Sequence, residues 1–320
     1  MKIIVDAMGG DNSPSEVVKG ALMAVEKLGV QIILVGDKNK IDLPQNDKIS
    51  LVHTEEIIDC DDDPVNSIRT KKDSSIVVGL KLLADKKGDA FVSAGSTGAV
   101  ISGATLIVKR IKGIRRAALG AIIPTKKGYT LLIDGGANAD CTEEFLQQFA
   151  IMGNAYAKAL MGIDNPKIGL LNNGVEETKG NEVSKKAHAL LKEMPINFIG
   201  NIEAREVLNG VTDVLVTDGF SGNVFIKTTE GTAKFFAGLI KEMLTKNIFT
   251  KICALILSKG IKNMKDILNS DKFGGVPVLG VNGVVIKAHG SSKDEAFYNA
   301  IRQASEFAKK DVVGAIESNI

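Results

Sequence analysis

Residues 216–227 read VTDGFSGNVFIK and gather a carboxylate, a hydroxyl and an amide (Asp218, Ser221, Asn223) around Gly219 and Gly222. They follow the apolar run 211–215 and precede an amphipathic stretch. A strand end meeting a helix N-terminus is where open α/β sheets hold ligands, because backbone N–H groups and the helix dipole converge there. The same residues also make an ordinary helix start, an Asp-Gly turn with Ser221 as N-cap. Similar loops recur after other apolar runs: AMGGDNSP (7–14), AGSTGA (94–99), GGANAD (135–140), NNGVEETKGN (172–181), and GVNG (280–283) with KAHGSS (287–292). In the first of them Ser13 is the expected N-cap and Pro14 the first helical residue. Six such loops are expected to converge on one edge of a parallel sheet.

The loops lack the GxGxxG and GxxxxGK[ST] nucleotide patterns, HExxH or paired Cys/His metal spacing, and the GxSxG elbow of an activated serine. They supply amides and hydroxyls, together with Lys179 and His289, and Arg69-Thr70-Lys71-Lys72 lies upstream. That inventory suits holding a small oxyanion and polarising a carbonyl without a covalent nucleophile. Phosphate itself could then be the nucleophile, and no metal or cofactor is expected.

The elements that must carry these loops are short β-branched runs alternating with longer helical stretches. Strands are predicted at 2–6, 31–35, 89–93, 117–123, 129–133, 167–171 and 211–217. Helices are predicted at 14–28, 74–86, 97–108, 143–162, 181–193, 222–245 and 293–310. The alternation predicts βαβ units in a three-layer α/β/α arrangement. Residues 117–123 and 129–133 flank a five-residue turn and read as a hairpin, so a mostly parallel but mixed sheet is expected. No low-complexity linker divides the 320 residues, 44% of them hydrophobic, and a single α/β catalytic domain over 1–320 is expected. A net charge of +2, no Trp and three Tyr argue against nucleic acid as a partner. Cys60, Cys141 and Cys253 have no CxxC spacing and read as free thiols of a reducing cytoplasm. The start MKIIVDAMGG has no signal-peptide core, and no apolar run reaches the ~20 residues that span a bilayer.

Residues 246–272 break the pattern and read as two short amphipathic helices around Ser258-Lys259-Gly260. Phe249, Ile252, Leu255 and Ile256, with Ile248, share one face of the first; Ile261, Met264, Ile267 and Leu268 share one face of the second. Lysines 246, 251, 259, 262 and 265 surround both. Such a hairpin either packs on the core or a partner subunit, or lies flat on an anionic membrane surface.

Eight ordered motifs, DAMGGD (6–11), PVNSIRTKKDSS (64–75), SAGSTGA (93–99), LLIDGGANADC (131–141), NNGVEETKGN (172–181), GNIEARE (200–206), VTDGFSGNVFIK (216–227) and GVNGVVIKAHGSS (280–292), resemble the phosphate acyltransferase family of bacterial glycerolipid synthesis (PlsX) from the first residue to the last helix. The resemblance implies an isocitrate dehydrogenase/phosphotransacetylase-like fold. It also implies a homodimer that is cytoplasmic and peripherally associated with the inner face of the cell membrane. The implied reaction converts acyl-[acyl carrier protein] and inorganic phosphate to acyl phosphate, which a membrane glycerol-3-phosphate acyltransferase consumes. Ser96 stands where family members often carry Asn; it keeps a hydrogen-bonding group of shorter reach.

Within that resemblance Lys179, Asn223, His289 and Asp218 are the expected catalytic residues. Asn223 would donate to an oxyanion or phosphate, and Asp218 would orient Lys179 or His289. Lys72, Ser96, Thr97, Gly98, Asn138, Asn173, Ser221 and Ser291 are expected to bind phosphate or substrate. Three other readings stay open: an enzyme using acyl-coenzyme A, a dehydrogenase of the isocitrate type, and a non-catalytic scaffold docking through 246–272.

Overall fold

A computed structural model describes residues 1–268 and 274–320 of the chain. Its strands are β1 (Lys2–Asp6), β2 (Gln31–Gly36), β3 (Ile49–His53), β4 (Ala90–Ser93), β5 (Ala118–Thr125), β6 (Gly128–Ile133), β7 (Ile168–Asn172), β8 (Phe198–Glu203), β9 (Val214–Val216), β10 (Gly275–Leu279) and β11 (Val284–Ala288). Its helices are α1 (Ser15–Leu28), α2 (Pro64–Thr70), α3 (Ser75–Ala84), α4 (Thr97–Gly103), α5 (Glu143–Tyr156), α6 (Glu182–Lys192), α7 (Ala204–Val207), α8 (Gly219–Thr245), α9 (Ile248–Ile256), α10 (Ser258–Leu268), α11 (Asp294–Lys309) and α12 (Val312–Glu317). The turns after α4 and α5 widen into π-helical turns over Ala104–Val108 and Ala157–Met161.

All eleven strands form one sheet in the order β3-β2-β1-β4-β11-β10-β5-β6-β9-β7-β8. β3, β2, β1, β4 and β11 run parallel, and so do β6, β9, β7 and β8. Between the two sets, β10 pairs antiparallel with both β11 and β5, and β5 pairs antiparallel with β6. Three successive reversals point the second set opposite to the first.

β1 is buried on both faces, which explains why KIIVD is apolar without alternating. Ile3 and Val5 pack into a cluster with α1, α5 and α11, whereas Ile4 faces a cluster with α3 and α4. A third cluster, including Leu132, Val207 and Leu215, packs against Phe225 and Ile226 of α8. Helices on both faces make the expected three-layer α/β/α arrangement with a mixed sheet. Strands β3, β8, β10 and β11 and helices α2, α7 and α12 add to those predicted. The first helix begins at Ser15 with Pro14 as its cap, so the expected Ser13 cap is one residue early.

α8 runs for 27 residues, and beyond its first turns it lies in the open: Phe235, Phe236, Leu239 and Met243 are exposed. α9 buries no residue, and Phe249, Leu255 and Ile256 are 77%, 74% and 77% exposed. Asn247 and Thr250 close a capping box at its start. Residues 269–272 of the expected hairpin, and the side chains of Lys265, Ile267 and Leu268, lie outside the described residues. Among the described residues no helix is long and apolar enough to cross a membrane.

Candidate active site

Asp134, fully buried at the end of β6, organises the first wall. Its carboxylate accepts hydrogen bonds from the backbone N–H groups of Leu119 (2.9 Å), Gly136 (3.1 Å), Ala137 (3.0 Å) and Asn138 (2.7 Å), and from the Asn138 amide (2.9 Å). Burial raises its carboxyl above the usual range, and these donors oppose that rise. The loop so wound receives the start of α8. Gly219 donates its N–H to the Asn138 carbonyl at 2.7 Å, and a Cβ there would stand 2.6 Å from that oxygen. At Gly222 a Cβ would fall on the Asp134 carbonyl. The two glycines of the 216–227 stretch are therefore spacing residues that let the α8 N-terminus press onto the β6 loop.

Asp218 is the N-cap of α8. It accepts from the Ser221 N–H (2.7 Å) and the Ser221 hydroxyl (2.9 Å). This corrects two expectations. Ser221 is not the cap, and Asp218 accepts within its own helix turn and has no ion pair with Lys179 or His289 among the described residues. Asn223 packs against Gly136, and its side chain makes no hydrogen bond among the described residues. Both Asn138 N–H groups are taken, by Asp134 and by the Ala117 carbonyl (2.8 Å), which leaves only its amide oxygen available.

The loop after β7 brings the second wall. Asn172 accepts from the Asn173 N–H (2.8 Å) and donates to the Lys179 carbonyl (3.2 Å), folding the ten-residue loop back on itself. Gly174 has no room for a Cβ because the Lys179 stem lies against it, 2.8 Å from where that atom would be. Lys179 is exposed and has no ion pair among the described residues. Asn173, Asp218 and Ser221 line one open groove of about 1520 Å³, with Leu171, Phe220 and Val224 among its apolar walls. Cys141 also lines it. Burial above all, and then the Asp134 charge, push that thiol up to about 12, so it is protonated and a weak nucleophile at neutral pH.

The remaining expected residues lie elsewhere. Ser96 is buried at the N-cap of α4, Thr97 is exposed, and Gly98 packs on Pro64. His289 and Ser291 follow β11, with His289 Nδ1 2.9 Å from Ser291 Oγ. Lys72 is exposed beyond α2, its carbonyl accepting from the Lys81 amine at 3.1 Å. The loops after β1, β4 and β11 leave one edge of the sheet, and those after β6, β7 and β9 leave the other. The expectation that all converge on one edge is thereby corrected: β10 and β5 reverse the strand direction between the two sets. Lys179, Asn223, Asp218, Ser221, Asn138 and Asn173 belong to one group, and Ser96, Thr97, Gly98, His289 and Ser291 to the other.

In the second group sequence reasoning missed Lys287. Its amine is buried between the β4 and β11 ends, donating to the Ala94 carbonyl at 3.3 Å and to the Ala288 carbonyl. Nearby, Asp6 accepts from the Ser93 hydroxyl (2.6 Å) and from Met8 and Gly9 N–H groups, tying the β1 loop to β4. Burial pushes the amine from its ordinary 10.5 down to about 8, against the attraction of Cys60, Asp6 and Asp11. A base depressed in the folded state binds fewer protons than the unfolded chain between those values, so stability rises with pH there. Relative to Lys287→Met, the wild type is expected to gain up to roughly 3 kcal/mol as pH climbs through that window. Urea unfolding of both proteins across it measures this, and a constant difference would refute it. The β11 position Lys287 resembles any strand lysine in sequence; only an apolar run on either side, GVVI and A, hints at burial.

The fold is similar to that of a phosphotransacetylase from Streptococcus pyogenes, with TM-score 0.63 and 17% identity over 96% of this chain and 94% of that one. A branched-chain phosphotransacylase from Enterococcus faecalis gives TM-score 0.60 and 15% identity, covering 96% of this chain and 99% of that one. The fold class is thus that of the phosphotransacetylases. The chain belongs to the phosphate acyltransferase (PlsX) family: the family model described as "Fatty acid synthesis protein" matches residues 1–314. The phosphate acyltransferase of Thermoanaerobacterium thermosaccharolyticum is 48% identical, covering 100% of this chain and 97% of its own length. That of Alkaliphilus oremlandii is 49% identical, also covering 100% and 97%. The protein is an acyltransferase of fatty acid and phospholipid synthesis, acting on an acyl donor and phosphate.

Proposed function

We propose that the chain works as one catalytic domain that moves a fatty acyl group from acyl carrier protein to inorganic phosphate by direct attack. A phosphate oxygen forms a bond to the thioester carbonyl carbon, the C–S bond breaks, and the carrier's thiolate leaves and takes up a proton. The observation that carries this reading is an apolar groove headed by Asn172, Asn173, Asp218 and Ser221, one wall of which, through Asn173 and Gly180, is the loop that bears Lys179. The Lys179 ammonium and Asn223 amide bind phosphate or the developing oxyanion, where one preorganised donor is typically worth ~10²–10³ in rate. Ser221, Asn138 and Asn173 position the substrate, and the raised Cys141 thiol supports attack without an acyl-enzyme. Ser96, Thr97, Gly98, Ser291 and Lys72 are proposed to contact the carrier from the other edge.

The protein acts as a homodimer in the cytoplasm and attaches peripherally to anionic membrane through the 246–272 hairpin. There it hands acyl phosphate to a membrane glycerol-3-phosphate acyltransferase. Incubating the pure protein with acyl-[acyl carrier protein] and phosphate, and trapping acyl phosphate with hydroxylamine, tests the reaction. A parallel incubation with acyl-coenzyme A identifies the carrier. Absence of product from the first and turnover of the second would overturn the donor assignment. Nicotinamide binding would favour the dehydrogenase reading, and no turnover of either thioester would leave the scaffold.

His289 and Ser291, at the edge opposite Lys179 and the α8 N-terminus, are proposed to contact the carrier and not the thioester carbonyl. His289→Gln is expected to raise KM for acyl-[acyl carrier protein] with kcat little changed. An unchanged KM in the variant would remove His289 from carrier binding.

A further inference from the structure

The groove that begins at Asp218 and Ser221 does not end there. It follows α8 along the pairs Phe220/Ser221, Val224/Phe225, Thr228/Thr229 and Thr232/Ala233, each four residues beyond the last. Residues at that spacing stack on one helix face, so the lining is a stripe and not a patch. Leu146, Leu170 and Leu208 form apolar parts of the opposite walls. Ser221 to Ala233 covers ~18 Å at 1.5 Å per residue, comparable with the ~15 Å that one leaflet of a bilayer allots to its acyl chains. At about 1520 Å³ the groove also exceeds the ~300–1,000 Å³ usual for a small-molecule pocket, leaving space for a head group and a chain. The stripe continues past the groove through Phe235, Phe236, Leu239 and Met243, again at steps of three and four.

We infer that this face of α8 is the acyl subsite: the thioester carbonyl sits at the α8 N-terminus, and the alkyl chain extends along the helix with its methyl end toward Phe235 and Phe236. The polarity is matched to such a ligand. The reacting head meets Asn172, Asn173 and Ser221, and the chain meets phenylalanines, leucines and threonines. Phe220 and Phe225 flank the first carbons, and Thr228 and Thr232 lie under the middle of the chain. Chain-length preference is set by the side chains at 228, 229, 232 and 233, because they stand at increasing distance from the carbonyl.

This inference rests on the acyl-transfer reading above, and its test separates the two. In the kinetic arm, wild type and Thr228→Glu are compared with hexadecanoyl- and butanoyl-[acyl carrier protein]. A carboxylate in the track penalises only the chain long enough to reach it. Apolar pockets discriminate single methylenes by roughly 10–200-fold, so the long-to-short ratio of kcat/KM is expected to fall at least tenfold. An unchanged ratio overturns the subsite. If wild type turns over neither thioester, the reaction assignment fails instead, and a binding arm still judges the track. The chain has no Trp, so Thr232→Trp places a single reporter on the stripe and Lys227→Trp places one off it. Brominated hexadecanoate is expected to quench the first and spare the second. Equal quenching of both overturns the inference. So does Thr232→Trp emission that shifts with protein concentration alone, which would mean that a second copy covers the stripe.

Discussion

Replacing Lys179 by alanine is expected to lower turnover at least tenfold and toward the ~10²–10³ typical of losing one preorganised oxyanion donor, with the fold intact. The fold should tolerate it because the side chain is exposed and makes no ion pair among the described residues; its stem rests on Gly174 of the loop that carries it. The activity should not, because the Lys179 ammonium is the proposed donor to phosphate or the developing oxyanion. Lys179→Met keeps the stem and removes the charge, so it should match the alanine variant if charge is what matters. Steady-state rates with saturating donor and phosphate, alongside thermal unfolding of each variant, give the answer. Near-normal turnover in Lys179→Ala would sink the assignment.

The second large effect is expected at Leu255, on the face of α9 that none of the described residues covers. Burying a Leu- or Ile-sized side chain stabilises by roughly 1.5–3 kcal/mol, and each lysine near an anionic surface adds about 1 kcal/mol. Ile248, Phe249, Ile252, Leu255 and Ile256 are all more than half exposed, and Lys246, Lys251, Lys259 and Lys262 surround them. Several contacts of each kind, less the cost of immobilisation, would suffice for the proposed reversible attachment. If the hairpin is a membrane anchor, Leu255→Glu is expected to keep the wild-type oligomeric state and activity in solution and to sediment less with anionic vesicles than the wild type. If the same face is a subunit interface, the variant dissociates or aggregates with or without lipid. Wild-type protein that ignores anionic vesicles would remove the membrane assignment altogether.

Much of this protein was legible in its residue order. Period-two and continuous β-branched runs such as KIIVD and QIILV announce strands, because burial on a pleated surface selects those side chains wherever the strand sits. Glycine-rich loops with Asn, Ser and Asp mark strand ends by local turn chemistry. Apolar residues at helical spacing among lysines predicted α9 and α10. Strands β8 and β10 were missed because Gly200 and the Gly-Val-Pro start of β10 interrupt the pattern, and the end of β11 because Lys287 and Ala288 read as the start of a glycine-rich loop.

Tertiary structure alone decided which loops meet. β11, from the end of the chain, inserts between β4 and β10, and β5 follows β10, so strand direction reverses where no local pattern records it. That pairing sends the Ser96 and His289 loops to one edge and the Asn223 and Lys179 loops to the other. It also strips water from Lys287. Side-chain period reports only whether a residue faces a core; which partner strand supplies that core is set by contacts far apart in sequence, and the site's geometry follows from those contacts.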